Sequence, residues 1–269
     1  MEAYFKNKVV LVTGGTDGIG KSLVQKLLIA GAQVATCGRN LEKLNQLQLQ
    51  NNSSPLFTTV ADISQENDCA QLIEQTVKKF GTIDILINNA GISMRAELIN
   101  TSVDVYKKVM DINFFGALYC TKMALPFILK NKGTIVGVSS IAGFRGLPGR
   151  GGYSASKHAL QGWLESLRTE LLDSGVNVMW VCPGFTTSNI RNAALDSTGN
   201  PFGETPMDEG AMMSADECAL RILNSIEKRK RTLVMTFTGM RTVFMNKFFP
   251  NKTDRMVRNF FYKNGNLIK

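Results

Sequence analysis

The chain has 269 residues, 44% apolar and 20% charged, which suits one α/β domain with a sizeable core and excludes a disordered chain. No apolar run reaches about 18 residues, so no membrane-spanning helix is expected, and the N-terminus lacks the layout of a signal peptide. The net charge of +9 is concentrated in residues 228–269, where eleven lysines and arginines accompany one acid, Asp254. This charge favours an anionic partner, either a membrane surface or an acidic ligand.

The cysteines are widely spaced along the chain. They show neither the close pairs of a disulfide framework nor the spacing of a metal site, so we expect reduced thiols and no bound metal. Reduced thiols fit a reducing compartment and predict a cytoplasmic protein. The five are Cys37, Cys69, Cys120, Cys182 and Cys218.

Short apolar runs alternate with longer amphipathic runs along the chain. The apolar runs predict strands over 8–13, 33–37, 56–60, 83–87, 133–139, 176–182 and 232–236. The amphipathic runs predict helices over 18–30, 40–50, 64–80, 101–130 with an interruption, 152–173 and 214–229. Nearly continuous apolar runs are typical of strands buried on both faces of a parallel sheet. The alternation predicts right-handed βαβ units and a doubly wound, seven-stranded, mostly parallel sheet flanked by helices, in a domain over 1–239.

A glycine-rich turn, Gly14-x-x-x-Gly18-x-Gly20, joins the first predicted strand to the next helix. Glycines allow a tight turn and a close approach of backbone to a pyrophosphate. The helix N-terminus also presents free N–H groups to an anion. The turn therefore predicts a dinucleotide site, in which Thr16, Asp17 and Ile19 take part. The alternative is a tight strand–helix turn without a ligand.

The residues at the end of the second predicted strand indicate whether NAD or NADP is bound. An acid at this place would bind the ribose hydroxyls of NAD, but the sequence there is Thr36-Cys37-Gly38-Arg39-Asn40. Arg39 is suited to the 2′-phosphate of NADP, so NADP(H) is expected over NAD(H). Asp17 argues against NADP because it adds negative charge near the turn. The alternative for Arg39 is a solvated arginine at a helix start.

Tyr153 and Lys157 lie four residues apart at the start of a predicted helix. That spacing places both side chains on one helix face. A nearby ammonium favours the phenolate, so we expect the pKa of Tyr153 to fall below its usual value of about 10. A phenol with such a pKa can act as a general acid or base. By itself the pair is a weak signal, since surface helices often carry one.

Taken together, these motifs resemble the short-chain dehydrogenase/reductase family, in the subgroup with the Thr-Gly-x-x-x-Gly-x-Gly turn, over roughly residues 8–236. Further motifs match in order: Asp62-Ile63, Asn88-Asn89-Ala90-Gly91, Asn113 in Asp-Ile-Asn-Phe-Phe-Gly, Ser140 thirteen residues before Tyr153, and Pro183-Gly184. The resemblance implies a Rossmann fold and an enzyme that transfers hydride between NADP(H) and a carbonyl or secondary alcohol. It also implies a homodimer or homotetramer.

The resemblance implies catalytic roles for Asn113, Ser140, Tyr153 and Lys157. Tyr153 would exchange a proton with the substrate oxygen, which Ser140 would hydrogen-bond. Lys157 would bind the nicotinamide ribose and tune Tyr153, while Asn113 would hold a water that relays protons. Ser139 is the alternative serine, at a poorer spacing.

Cofactor contacts are also implied by the resemblance. Asp62 and Ile63 would meet the adenine, while Asn89, Ala90 and Gly91 would stabilise the sheet and contact the adenosine half. Pro183, Gly184 and the backbone of Thr186 would contact the nicotinamide half, together with Ser188, which stands where the family often has threonine.

Two later segments depart from the alternating pattern. Residues 185–213 hold scattered glycines, prolines and methionines after a predicted strand end, which favours a substrate lid over a variable surface loop. Residues 240–269 form a basic, aromatic-rich extension. Thr253 could cap a helix there whose apolar stripe is Met256, Val257, Phe260 and Phe261. That stripe would lie on an anionic membrane or pack on the domain or a second subunit beside the cleft. The extension loosely resembles those of lipid- and steroid-directed members.

Three further residues carry weaker signals. His158 follows Lys157 and would point away from it, so a packing or surface role is expected. Arg145 and Arg150 lie between Ser140 and Tyr153, where they would grip an anionic substrate or, as we expect, be solvated loop residues. No nucleic-acid recognition motif accompanies the positive charge.

The sequence thus predicts an NADP(H)-dependent oxidoreductase acting on an apolar or lipid-like carbonyl or alcohol, with possible peripheral membrane contact. The competing class is a non-catalytic NADP(H)-binding sensor or a membrane-recruited scaffold on the same fold. The intact set of four catalytic positions argues against that class.

Overall fold

Seven strands form the central sheet of the structure, a computed structural model that describes residues 1–203 and 212–268. They are β1 (Val9–Thr13), β2 (Gln33–Gly38), β3 (Leu56–Val60), β4 (Ile85–Asn88), β5 (Thr134–Val138), β6 (Asn177–Cys182) and β7 (Thr232–Val234). Their order is β3-β2-β1-β4-β5-β6-β7, and each neighbouring pair is parallel. The predicted doubly wound Rossmann sheet is confirmed.

Helices cover both faces of this sheet. Those of the described residues up to β7 are α1 (Glu2–Phe5), α2 (Gly18–Ile29), α3 (Leu41–Gln50), α4 (Glu66–Phe80), α5 (Val103–Met110), α6 (Gly116–Lys130), α7 (Gly151–Glu170) and α8 (Ala215–Glu227). Each lies within a few residues of its predicted bounds, apart from the short α1, which the sequence did not predict. Most of the secondary structure could therefore be predicted from the apolar periodicity of the sequence.

Each face of the sheet has its own apolar core, because side chains alternate along a strand. Val10 and Val12 of β1 belong to the core shared with α2 and α8. Leu11 belongs to the opposite core, shared with α4, α6 and α7. Every residue of β1, β5 and β6 is buried. This two-sided burial explains why these strands are almost continuously apolar in sequence.

The strand order places a crevice at the carboxyl end of β1. Val12 of β1 pairs with Thr36 of β2 on one side and with Ile87 of β4 on the other. The chain therefore leaves β1 in one direction and returns on its other side after β3. Such a switch point is where open α/β sheets bind ligands.

Helices α5 and α6 belong to one helical stretch, Val103–Lys130, in which residues Asp111–Phe115 form a π-helical turn. The predicted interruption of 101–130 is thus a widened turn. Among the described residues, this stretch alone has the length and composition to cross a membrane, with a hydropathy of 1.4 over 18 residues, 44% of them buried. It packs against α4 and α7, as a core helix does.

The segment 185–213, the predicted lid, is described except for residues 204–211. Those residues include Pro206, Met207 and Gly210. Isolated bridges tie the described part down: Thr186 to Met213, Met94 to Leu195, and Leu195 to Pro201. Met94 and Leu195 also pack with Val105 and Val109 of α5 in a small apolar cluster. The lid prediction itself stays a prediction.

After β7 the chain forms two helices, α9 (Phe237–Phe248) and α10 (Pro250–Phe261), and a hairpin of β8 (Tyr262–Lys263) and β9 (Asn266–Leu267). Helix α9 crosses the predicted boundary at 239/240, so the C-terminal extension begins at Phe237. The prediction that Thr253 caps α10 is wrong. The helix begins at Pro250, which starts a helix well because its missing N–H is not needed there. Thr253 is buried and donates to the carbonyl of Phe249 at 3.0 Å.

Candidate active site

A continuous cleft of about 610 Å³ crosses the carboxyl ends of the central strands. Its glycine-turn end is lined by Gly14, Thr16, Asp17, Gly18, Ile19, Gly20, Arg39, Asp62, Ile63, Asn89, Ala90 and Gly91. Its helical end is lined by Ser140, Leu147, Arg150, Tyr153, Lys157, Pro183, Gly184, Thr186, Ser188 and residues of α9 and α10. Every predicted site residue except Asn113 lines this cleft.

At the glycine-turn end, glycines bring the backbone of the turn to the surface of the cleft. Gly14 and Gly18 adopt φ angles of +69° and +49°, in the left-handed region that favours glycine. A Cβ built on Gly20 would overlap the carbonyl oxygen of Gly14 and come within 2.5 Å of the Nδ2 of Asn89. Asp17 caps α2 by accepting a hydrogen bond of 2.8 Å from the N–H of Gly18. The turn thus presents the start of a helix to a ligand with little side chain in the way.

The end of β2 presents a cation to the same part of the cleft. Arg39 is 60% exposed, and one of its guanidinium nitrogens lies 3.9 Å from an oxygen of Asp62. Asp17, whose charge argued against a phosphate here, binds the ammonium of Lys43 at 2.9 Å. The carboxylate of Asp17 is therefore paired with a cation, which weakens the sequence argument against a 2′-phosphate.

Two residues of the Asn-Asn-Ala-Gly motif, Asn89 and Ala90, join the end of β4 to the glycine-rich turn. Asn89 donates through Nδ2 to the carbonyls of Thr13 at 2.9 Å and Gly14 at 3.2 Å. The hydroxyl of Thr13 accepts from the N–H groups of Asn89 and Ala90, both at 3.1 Å. Asn89 therefore holds the turn in shape from the side, and Thr13 is a member of the site that the sequence analysis missed.

Tyr153 and Lys157 lie on the first turns of α7 and face the cleft together. The Nζ of Lys157 is 5.7 Å from the centre of the Tyr153 ring and donates to the carbonyl of Val138 at 2.8 Å. Burial lowers the pKa of Lys157 to about 8. Because Lys157 is almost fully buried, it can titrate near neutral pH.

The predicted lowering of the Tyr153 pKa is wrong in direction. Burial raises the pKa of Tyr153, and a hydrogen bond with Ser140 and the positive charge of Arg150 offset only part of the rise. Desolvation disfavours the phenolate, and here it outweighs the neighbouring charges. Tyr153 is therefore a protonated phenol at neutral pH and is suited to donate a proton.

Of the two adjacent serines, only Ser140 is directed to Tyr153. The hydroxyl of Ser139 is buried and accepts a hydrogen bond of 2.8 Å from the Nε2 of Gln161. The hydroxyl of Ser140 accepts from the N–H of Ala142 at 3.2 Å and begins a short 3₁₀ turn. Gln161 thus fixes the serine pair, and its position one turn after Lys157 on α7 was the available sequence signal.

Asn113 lies behind the cleft, inside the π-helical turn. Its Oδ1 accepts from the N–H of Ile92 at 2.8 Å, and its Nδ2 donates to the carbonyl of Ile92 and the hydroxyl of Ser156, both at 2.9 Å. A Cβ built on Gly91 would lie 3.1 Å from that Oδ1 and 3.4 Å from the Nζ of Lys157. Asn113 therefore clamps the strand end beside Lys157, a use typical of π turns at functional sites.

The start of the lid segment crosses over the glycine-rich turn. A Cβ built on Gly18 would lie 3.0 Å from the Cβ of Ser188, so the two chain segments touch. Thr186 donates through its hydroxyl to the carbonyl of Gly184 at 3.1 Å, and Arg191 donates to the carbonyl of Thr186 at 2.9 Å. Ser188 thus lies where the helical end of the cleft meets the glycine-rich turn, and Pro183 and Gly184 line the same cleft as Tyr153.

The C-terminal extension covers the helical end of the cleft. Val257 and Phe261 of α10 are buried, while Met256 and Phe260 line the cleft, where Phe260 stacks on Phe185 at 6.3 Å. The predicted apolar stripe of α10 therefore packs on the domain. Of the two alternatives left open by the sequence, the structure supports packing beside the cleft for this stripe.

Two arginines do not match the expectation of solvated loop residues. Arg145 binds Asp254 of α10 and donates to the Oδ1 of Asn246 in α9 at 3.0 Å, so it ties the extension to the domain. Arg150 lines the cleft beside Phe261, with 5.7 Å between the guanidinium carbon and the ring centre. His158 is exposed, and its Nδ1 lies 2.8 Å from the carbonyl of Ser154, in line with the surface role expected for it.

Among residues 1–203 and 212–268, no group of three His, Cys, Asp or Glu side chains lies close enough to hold a metal ion. All five cysteines are buried, unpaired thiols.

Residues 8–198 match the sequence model of the short chain dehydrogenase family. Among curated proteins, Dehydrogenase/reductase SDR family member 7B of Rattus norvegicus is 37% identical over 260 residues, covering 93% of this chain and 80% of the relative. The member 7B protein of Mus musculus is 35% identical over 257 residues with the same coverage. The Drosophila melanogaster family protein 7-like is 34% identical over 236 residues, covering 85% of this chain and 72% of the relative.

Solved structures match over most of the chain. A short chain dehydrogenase/reductase of Burkholderia phymatum in complex with NAD has a TM-score of 0.83 at 20% identity and covers 93% of this chain and 96% of its own. A short-chain dehydrogenase/reductase of unknown function from Caenorhabditis elegans, solved with cofactor, has a TM-score of 0.75 at 26% identity. It covers 86% of this chain and 94% of its own.

Proposed function

Because the chain belongs to the short-chain dehydrogenase/reductase family of oxidoreductases, we propose that it is an NADP(H)-dependent reductase of apolar carbonyl compounds. The observation that carries the proposal is the convergence of Tyr153, Ser140 and Lys157 at one point of the cleft. A protonated phenol there can give a proton to a carbonyl oxygen.

The residues present fit a dinucleotide. Gly20 has no room for a Cβ, the start of α2 opens on the cleft, and the glycine-turn end offers backbone N–H groups at the place where phosphates bind on this fold. Gly14, Gly18 and Ile19 would hold the pyrophosphate, and Asn89–Gly91 would flank the adenosine half. The nicotinamide group supplies the hydride when it is bound.

The chain's own residues would move and hold the proton. Tyr153 donates its phenolic proton to the substrate oxygen, and Ser140 donates a hydrogen bond to the same oxygen as charge develops on it. Lys157 then supplies positive charge beside the phenolate that remains. Asn113 keeps the strand end at Ile92 in place, so Lys157 and Tyr153 keep their separation.

The first test of the proposal is consumption of NADPH and NADH against a panel of ketones, including steroids and long-chain 3-oxo lipids. Tyr153→Phe should lower turnover by about 10²–10⁴-fold, the usual contribution of a positioned acid. NADPH affinity should stay within about two-fold, because the ring is kept. Equal turnover of the variant and the wild-type chain would overturn the mechanism.

We also propose a preference for NADP(H), supported by Arg39 and by the pairing of Asp17 with Lys43. Arg39→Ala should weaken NADPH binding by about 10–100-fold, the value of one or two charge-assisted hydrogen bonds. NADH binding should change little. Titration of both cofactors by fluorescence measures this, and an equal loss for both would remove the preference.

We propose peripheral membrane contact as a property of the C-terminal extension. Helix α9 carries an exposed apolar stripe, Phe237, Met240, Phe244 and Phe248, beside the exposed cations Arg241, Lys247, Lys252 and Arg255. An apolar stripe rimmed by cations suits an anionic bilayer surface. This stripe differs from the one predicted on α10. The other side of α9 lines the cleft through Thr238 and Thr242, so an apolar substrate could enter directly from lipid.

Vesicle sedimentation tests this contact. The chain should co-sediment with phosphatidylserine-containing vesicles, and replacement of Phe237, Phe244 and Phe248 by serine should abolish it. Undiminished sedimentation of that variant would exclude the α9 stripe.

Location and assembly also stand as proposals. Five buried thiols support a reducing, cytoplasmic setting. Exposed Phe115 in the π-helical turn and exposed Leu129 on α6 support a homo-oligomer. Light scattering after size exclusion would give the mass of the assembly.

A further inference from the structure

Arg150 is a cation inside the cleft that the proposed chemistry does not use. It occupies the N-cap position of α7, three residues before Tyr153, and lines the helical end of the cleft. Within residues 1–203 and 212–268, no carboxylate lies within 4 Å of its guanidinium, and its Nε is buried without a hydrogen-bond partner. Its described side-chain contact is with the face of Phe261.

An unpaired guanidinium in such a place is costly. Burial lowers the pKa of Arg150, and the positive charges of Arg95 and Arg191 lower it further. Buried charges are normally paired, because the protein interior replaces water poorly. Two acids outside the cleft have other partners: Asp254 binds Arg145 and Glu97 accepts from Tyr262. Within the described residues, no carboxylate therefore pairs with the guanidinium of Arg150, which is available to a ligand.

The side chains around Arg150 indicate which other chemical groups the ligand has. The helical end of the cleft is walled by apolar side chains, among them Leu147, Val257, Phe260 and Phe261. A ligand that fills this end buries apolar surface against α10, which favours a hydrocarbon portion. Arg150 directly precedes α7, Tyr153 lies on its first turn, and both residues line the same end of the cleft.

We propose that Arg150 forms an anion subsite for the substrate, and this rests on the proposed reductase function. The substrate is then an amphipathic carbonyl compound with a carboxylate or phosphate group a few bonds from its carbonyl carbon and a hydrocarbon portion along α10. The anion pairs with the guanidinium, which is planar and suited to two parallel hydrogen bonds with either group. The carbonyl oxygen lies between Tyr153 and Ser140. Arg150 thereby determines specificity.

Binding of short amphiphiles tests the subsite without turnover. Decyl phosphate, decanoate and decanol, each below its micelle concentration, are titrated calorimetrically into the full chain with and without NADPH. The anionic probes should bind at least ten-fold more tightly than decanol. The two anionic arms distinguish a phosphate subsite from a carboxylate subsite. Equal affinity of all three probes for the wild-type chain would overturn the proposal, and that comparison needs no variant.

Three variants test whether Arg150 is the residue that causes the preference for anionic probes. Arg150→Gln should remove the preference for anionic probes, whereas Arg150→Lys should retain part of it. Arg241→Gln removes one exposed cation of α9 and should leave the preference unchanged. A preference that survives Arg150→Gln, or that is lost equally in Arg241→Gln, would overturn the assignment. A chain that binds the anions through Arg150 but reduces no carbonyl would count against the proposed reductase and leave the subsite standing.

Discussion

The glycine-turn end of the cleft is built around a glycine-rich turn between strand ends that adjoin in the sheet, whereas the helical end is lined by side chains from distant parts of the chain. At the glycine-turn end, Gly20 and Asn89 fit so closely that no side chain can be added. At the helical end, α10 is held by Arg145 and by the burial of Val257 and Phe261.

The difference suggests a division of labour. A ligand part common to many reactions can be bound by fixed backbone, since its shape does not change. A ligand part that distinguishes one substrate from another is bound by side chains, which differ between sequences without disturbing the sheet. The comparison predicts that a substitution at one end of the cleft impairs that end and leaves the other end unchanged.

The largest separable effect is expected from Phe261→Ala. Phe261 is 3% exposed, and removing a buried phenyl ring costs about 3–5 kcal/mol. The loss should fall on the extension, so hydrogen exchange of residues 250–268 should accelerate while NADPH binding is unchanged. Phe248→Ala, at an exposed position of α9, is the matched control and should leave exchange unchanged. Loss of NADPH binding in Phe261→Ala would show that the two ends are coupled.

Gly20→Ala perturbs the other end of the cleft, at the glycine-rich turn. The added methyl overlaps the carbonyl of Gly14, and such overpacking costs about 1–3 kcal/mol. We expect a lower midpoint of thermal unfolding and at least about ten-fold weaker NADPH binding, or about 1.4 kcal/mol.

The control for Gly20→Ala is Gly162→Ala in α7. Nothing lies within 4 Å of a Cβ built there, so this variant should gain about 0.5–1 kcal/mol from helix propensity. If both alanine variants behaved alike, the close fit of the turn would not be the cause.

A third effect concerns Lys157, which lies between the two ends. Its pKa falls from an ordinary value of 10.5 to about 8 on burial, so the folded chain binds fewer protons than the unfolded chain between these values. The resulting penalty on folding is complete below about pH 8 and disappears as the pH rises to 10.5. Lys157→Met should therefore stabilise the fold by about 2 kcal/mol at pH 7, after loss of one hydrogen bond.

Urea unfolding between pH 6 and pH 10 measures this difference. The advantage of Lys157→Met over the wild-type chain should shrink as the pH rises above 8. A difference that does not change with pH would mean that Lys157 is not desolvated in the folded chain.

Much of the architecture could be predicted because its signals are local. Strands β1, β5 and β6 are almost continuously apolar, and helices such as α4 and α7 repeat their apolar residues every three to four positions. The switch point follows from the order of these elements. The same locality made the glycine-rich turn and the Tyr153–Lys157 pair visible, since each motif spans fewer than ten residues.

The start of α10 and the extent of α9 were harder to predict. Thr253 is a good capping residue in sequence, but Pro250 begins the helix and Thr253 is buried within it. The exposed stripe on α9 has helical spacing, yet its exposure depends on which face packs on the domain. A pattern of apolar residues does not reveal which of two stripes will find a partner.

The sequence by itself determined the doubly wound sheet and predicted the glycine-rich turn and the proposed catalytic group, because these depend on periodicity and short spacings. The tertiary structure decided what each charged group faces. Arg145 binds Asn246 and Asp254, which lie 101 and 109 residues further along the chain, and Arg150 is left inside the cleft. It also decided that the pKa of Tyr153 rises rather than falls. Desolvation and pairing depend on neighbours that only folding brings together.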